Sequence, residues 1–175
     1  MNDKLFTFFW HGPFSQWHMS EFFGKDFEHK TIKYCCAEQY MMAKKAELFK
    51  DEATLMKIYS SKSPKEIKDL GREIKNFNQD VWNKNKFGIV YEGNFLKFGQ
   101  DFNLQQMLLD TGDTLLVEAS PYDKVWGIGL DESNPDALDM NKWKGENLLG
   151  KILTAVRDHN KYRKTHSDLY GFENR

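Results

Sequence analysis

The spacing of apolar and polar residues changes period several times along the chain, and each change marks an element. Through the first thirty-odd residues, aromatics mix with turn formers, as in Phe8-Phe9-Trp10-His11-Gly12-Pro13-Phe14-Ser15-Gln16-Trp17, which predicts short strands and tight turns. From residue 34 to residue 49 the pattern turns helical, with Tyr34, Ala37, Met41 and Lys45 on one side and no Gly or Pro to interrupt it. Two shorter helices are predicted over 52–60 and 64–74. The second is opened by Ser63 as N-cap, Pro64 at the first helical position and Glu66 three residues beyond the cap.

Residues 82–99 read as a long amphipathic helix, although Gly88 and Gly93 each weaken it by about 1 kcal/mol relative to Ala. Asn103 is placed to cap a further helix over 104–110, which Thr111-Gly112 ends. A buried strand is predicted over 114–120. A last helix is predicted over 145–162, with Leu148, Leu149, Ile152, Leu153 and Val156 as its core stripe. The expected architecture is one mainly helical α+β domain over 1–175.

Composition narrows the function classes. At 175 residues the chain can bury roughly two-thirds of the surface its unfolded form exposes, enough for one core. No apolar run approaches the roughly 18 residues of a membrane span, and Met1-Asn2-Asp3-Lys4 does not lead into a signal-type stretch, so a cytoplasmic protein without a membrane partner is expected. Cys35 and Cys36 are adjacent, a poor arrangement for a structural staple, and are read as free thiols. His11, His18, His29, His159 and His166 share no metal-ligand spacing, so no metal and no cofactor are expected. A net charge of −1 argues against a protein that coats nucleic acid. The charge is uneven: residues 110–139 hold eight acidic side chains against Lys124 alone, and residues 142–164 hold seven basic ones against Glu146 and Asp158.

Three stretches carry candidate chemistry. In Glu38-Gln39-Tyr40-Met41-Met42-Ala43-Lys44-Lys45 the outer two charges are seven residues apart, which puts them on one helical face about 10 Å apart along the axis. They are either a pair that brackets a sugar or ordinary charges on an exposed helix. In Glu118-Ala119-Ser120-Pro121-Tyr122-Asp123-Lys124-Val125-Trp126-Gly127-Ile128-Gly129 a strand runs into a Gly-rich turn. There Asp123 is either a hydroxyl acceptor or a turn former, and Trp126 either a stacking platform or a core anchor. In Trp143-Lys144-Gly145-Glu146-Asn147 a helix N-terminus offers amides to an anion, unless Asn147 simply caps it. Arg72, after Gly71, is a weaker candidate for a phosphate clamp.

Taken in order, these stretches resemble the YbiA/NADAR family. Phe14-Ser15-Gln16-Trp17 is similar to the family's Phe-Ser-Asn-Phe, and Glu38-Gln39-Tyr40 with Met42-Ala43 and Lys45 to its Glu-His-Tyr followed by Gln-Ala and Lys. Gly71-Arg72, Trp82, Lys97-Phe98 with Gln100, Leu109 with Thr111-Gly112, the run 118–129, Trp143-Lys144-Gly145 with Asn147-Leu148-Leu149-Gly150, and Arg157 continue the match. It spans about residues 8–162 and leaves 163–175 as a tail. Gln39, Met42 and Gln16 depart from the family's His, Gln and Asn, so no obligatory role is expected at the position of that His.

The resemblance implies a mostly helical fold and metal-free hydrolysis of an N-glycosidic bond. The implied substrates are ribosylamino-pyrimidine phosphates of early riboflavin synthesis, or ADP-ribose attached to guanine bases, including guanine in nucleic acid. On this reading Glu38 is the general acid/base, and Lys45 either positions phosphate or attacks C1′ of a ring-opened sugar. Asp123 holds ribose hydroxyls and Trp126 stacks. Arg72 and Lys144, with the amides from Gly145 to Asn147, bind phosphate, and Phe14, Ser15, Gly127 and Trp143 line the site. The rivals are a module that binds ADP-ribose without cleaving it, and a partner-binding helical domain using Trp10, Phe14 and Trp17.

Overall fold

The computed structural model describes residues 5–166, so the N-terminal four residues and most of the expected tail lie outside the described residues. The chain divides into two compact units, one built from the residues up to Trp10 and those from Phe102 onward, the other from His11–Asp101.

In the first unit, β1 (Phe6–Phe9) pairs in parallel with β4 (Leu115–Glu118), from Phe6 opposite Leu115 to Phe9 opposite Glu118. β4 is shorter than the predicted strand: Thr114, Ala119 and Ser120 lie outside it, and the chain bends from Pro121. Val117, Ile128, Leu130 and Ala137 form a core cluster against which Phe6, Phe8, Leu115 and Trp143 pack. α5 (Phe102–Leu109) starts earlier than predicted, so Asn103 lies inside it and is not its cap. α6 (Leu148–His166) buries Leu149, Ile152, Leu153 and Val156 as the period predicts, and it continues past residue 162 into the expected tail. Residues 145–147 are not helical, since Asn147 takes a left-handed backbone angle, φ 53°.

The second unit holds the antiparallel hairpin of β2 (Phe22–Lys25) and β3 (Thr31–Tyr34), then α1 (Ala37–Leu48), α2 (Glu52–Ser60), α3 (Pro64–Arg72) and α4 (Gln79–Gln100). Tyr34, predicted helical, ends β3. Ser63 caps α3 as expected, its hydroxyl accepting from the Glu66 amide at 3.4 Å, but the Glu66 carboxylate turns to the Ser61 hydroxyl at 2.6 Å and leaves the box half built. α4 begins at the Asn78 cap, three residues before the predicted start. Its Gly93 lies where a Cβ would meet the Tyr40 ring at 2.6 Å, which is how α4 reaches α1 so closely.

α1 sits at the middle of this unit, packed against α2, α3 and α4. Every residue from Ala37 to Lys44 is buried, polar ones included. A helix enclosed on all sides shows no apolar stripe, and each of its polar side chains needs a partner inside the protein.

Candidate active site

The partners on α1 are specific. Gln39 Oε1 accepts from the Cys35 amide at 2.7 Å, and its Nε2 donates to the carbonyls of Ile58 and Ser61, each at 2.9 Å. The side chain that replaces the family's His therefore ties α1 to the end of α2. Lys44 pairs with Glu47 at 3.0 Å, and the same carboxylate accepts from Tyr59 at 2.9 Å. These contacts hold the fold, and Glu38 and Lys45 are the other two charged side chains of the expected stretch.

Glu38 is 3% exposed, so the exposed-helix alternative is excluded for it. Lys45 is half-buried. Its Nζ donates to the Gly71 carbonyl at 2.7 Å and lies 4.5 Å from the centroid of the Phe77 ring and 5.6 Å from that of Trp82. Burial pushes the Lys45 amine below its ordinary pKa, and the nearby Glu38 carboxylate opposes that shift. Desolvation outweighs the carboxylate here, so the amine is closer to neutrality than a surface lysine and can act as a nucleophile.

Phe14 ends a single 3-10 turn, Gly12–Phe14, and its ring lies 6.1 Å from that of Phe98. The Ser15 hydroxyl accepts from the Trp17 amide at 3.1 Å, and the Gln16 carbonyl accepts from the Glu38 amide at 2.9 Å. This turn therefore meets the first turn of α1 directly. Arg72 points outward and pairs with Asp69 at 3.1 Å, while the adjoining Gly71 supplies the Lys45 acceptor.

In the first unit the structure gives the expected site residues partners within the fold. Asp123 Oδ1 accepts from the amides of Val125 and Trp126 at 2.9 and 2.7 Å, so it is a turn former. Trp126 is half-buried beside it, and its carbonyl accepts from the Leu149 amide at 3.0 Å. Trp143, half-buried, anchors in the core of this unit: its indole donates to the Ala137 carbonyl at 2.9 Å and packs 5.8 Å from Phe6. Asn147 immediately precedes α6, and its carbonyl accepts from the Lys151 amide at 3.0 Å, but its side chain is engaged elsewhere. It is fully buried, accepts from the Glu118 amide and donates to the Leu116 carbonyl, each at 3.0 Å. The amides of Glu146 and Asn147 donate to Lys124 and Gly127, so they are taken. A Cβ at Gly127 would meet the Glu118 carbonyl at 2.8 Å, and one at Gly145 the Gly127 carbonyl at 2.4 Å, which makes both glycines packing requirements. Lys144 is exposed.

Two residues on α4 escaped notice as chemistry. Lys97 is fully buried, and its Nζ donates to the carbonyls of Pro13 at 2.8 Å and Ser15 at 3.0 Å. Burial pushes its pKa down to about 7. Asn94, also fully buried, donates from Nδ2 to Gln16 Oε1 at 2.8 Å.

The NADAR domain profile matches residues 8–160, across both units. The chain belongs to the NADAR domain family. It is 48% identical over 147 residues to N-glycosidase R617 of Acanthamoeba polyphaga mimivirus, covering 84% of this chain and 86% of that one. It is 34% identical over 107 residues to the chloroplastic riboflavin biosynthesis protein PYRR of Zea mays, covering 59% of this chain and 15% of that longer protein. The solved structure of Escherichia coli YbiA superposes with a TM-score of 0.71 at 25% identity, covering 91% of this chain and 87% of that one. The reaction class of this NADAR protein is hydrolysis of an N-glycosyl bond. No helix among the described residues is long and apolar enough to cross a membrane.

Proposed function

We propose that this NADAR protein hydrolyses the C1′–N bond of a phosphorylated ribosylamine, with Glu38 as the acid/base and Lys45 as the attacking amine. The observation that carries the reading is the setting of Lys45: desolvated, flanked by Phe77 and Trp82, and within the field of Glu38. A lysine serving only to neutralise phosphate needs its full charge, and burial works against that charge.

The substrate bond is an aminal, which opens to an imine between C1′ and the exocyclic nitrogen. The Lys45 amine adds to C1′, and a proton from Glu38 goes to the departing nitrogen, which leaves as the free amine of the base. Water then adds to the lysine imine and releases the sugar as its aldehyde, restoring the amine. The sum is addition of one water across the C1′–N bond. Ribosylamino-pyrimidine phosphates and ADP-ribose on guanine both contain this bond, and the name of the maize relative favours the first.

The test is incubation with each compound in turn, followed by mass spectrometry. Release of the free base and a ribose phosphate, or of guanine-containing product and ADP-ribose, is expected. With Glu38→Gln, turnover of the accepted compound should fall by about 10²-fold or more. Binding without turnover of either compound would make the protein a recognition module and overturn the reading.

A further inference from the structure

Helix α1 lacks the usual side-chain cap. Its N-cap residue is Cys36, whose side chain makes no capping bond, yet the first amides of a helix need acceptors from outside it. For Glu38 that acceptor is the Gln16 carbonyl, at 2.9 Å. The chain from Pro13 to Gln16 thus does the work of a cap, and its position sets where the first turn of α1 sits.

That segment is in turn held from α4. Lys97 Nζ gathers the carbonyls of Pro13 and Ser15, and Asn94, one helical turn earlier, binds the Gln16 side chain. Together they grip three of its four residues. We propose that Lys97 is a positioning residue for catalysis: by fixing the turn whose Gln16 carbonyl receives the Glu38 amide, it places the Glu38 carboxyl for proton transfer. This rests on the assignment of Glu38 above.

The chemistry of the buried amine fits the role. Its two short contacts are both to neutral carbonyls, and a neutral amine has two N–H donors to fill them. Burial lowers its pKa, opposed by Cys36, and Lys97 in turn helps to lower the pKa of His18 beyond that residue's own desolvation, with Asp101 opposing. Lys97 Nζ also lies 4.9 Å from the centroid of the Phe98 ring.

The experiment compares Lys97→Met, which keeps length and removes the donors, with Lys97→Gln, which keeps an amide donor. Both are assayed for kcat and KM on whichever ribosylamine compound the wild type cleaves. The expected result for Lys97→Met is a kcat lower by tenfold or more, with KM within about threefold and a cooperative melt retained. Lys97→Gln should recover part of the loss. Added to Glu38→Gln, Lys97→Met should cost nothing further, because it acts through Glu38. Wild-type kcat in the folded Lys97 variants, full additivity with Glu38→Gln, or failure of both variants to fold would overturn the proposal. If Glu38→Gln itself turns over at the wild-type rate, it is the assignment of Glu38 that falls.

Discussion

Lys45 Nζ donates to the carbonyl of Gly71 at 2.7 Å, so the amine proposed as nucleophile is held by the backbone of another helix. That bond aims the amine. It also consumes one N–H, which favours attack by the lone pair once the proton is lost.

For Lys45, borohydride added during turnover should reduce the imine and leave a stable sugar adduct on that residue. Lys45→Arg should be nearly inactive, because a guanidinium is a poor nucleophile at neutral pH. Since burial lowers the Lys45 pKa, kcat/KM should rise with pH and level off below 10.5, the ordinary lysine value. Absence of any adduct, with substantial activity in Lys45→Arg, would leave the side chain as a phosphate ligand.

At Gly71, a Cβ would come within 1.9 Å of Met42 Sδ and 2.8 Å of its Cγ. Gly71→Ala should therefore cost about 1–3 kcal/mol through overpacking and displace the Lys45 acceptor. Pairing it with Met42→Ala should restore part of the stability in a non-additive way. Urea melts of the three variants decide it, and equal, independent losses would show that the contact does not couple them.

Asn147→Ala removes the bonds to Glu118 and Leu116 and strands two buried backbone groups, so a loss of about 2–4 kcal/mol in unfolding free energy is expected. A phosphate ligand would behave in the opposite way, with wild-type stability and a raised KM. Denaturation and steady-state kinetics on one preparation separate the two.

How stability varies with pH should report Lys97. Its folded pKa is about 7 against an ordinary 10.5, so between those values the unfolded chain holds a proton that the native one lacks. Stability from this group therefore grows as pH rises from 7 towards 10.5, and it is lost as pH falls back through that window, with no further change below about 7. Lys97→Met should thus compare best with the wild type near pH 6 and worst near pH 9. Parallel melting-temperature curves for the two proteins would rule out the shift.

Much of this architecture is legible in the residues. The apolar stripe of α6, the Ser63 cap and the helix breaks at Gly112 all follow local rules. So does the placing of Glu38 and Lys45 on one helix, because a spacing of seven needs only helix geometry. Long-range context is not legible in the same way. Within a Gly-rich stretch, Trp143 packs against the core of the first unit and Asn147 stitches β4, contacts made with residues six and about thirty positions away. Gly127 and Gly145 match a flexible loop as readily as a tight crossing, and only the packed backbone tells which. Lys97 was passed over because a lysine in a helix reads as solvent-facing until its carbonyl acceptors, more than eighty positions earlier, are in place.

The first unit is interrupted in sequence by the second: β1 ends before His11, and its partner β4 begins at Leu115. On a ribosome that emits the chain from its N-terminus, residues 11–101 are complete while β1 still has nothing to pair with. The interrupted unit must therefore wait for synthesis to pass β4, with four largely aromatic strand residues, Phe6 to Phe9, exposed in the meantime. The inserted segment is a contiguous stretch whose α1 already has its packing partners. Its order of completion puts Glu38, Lys45 and Lys97 in place before the parallel strands can close.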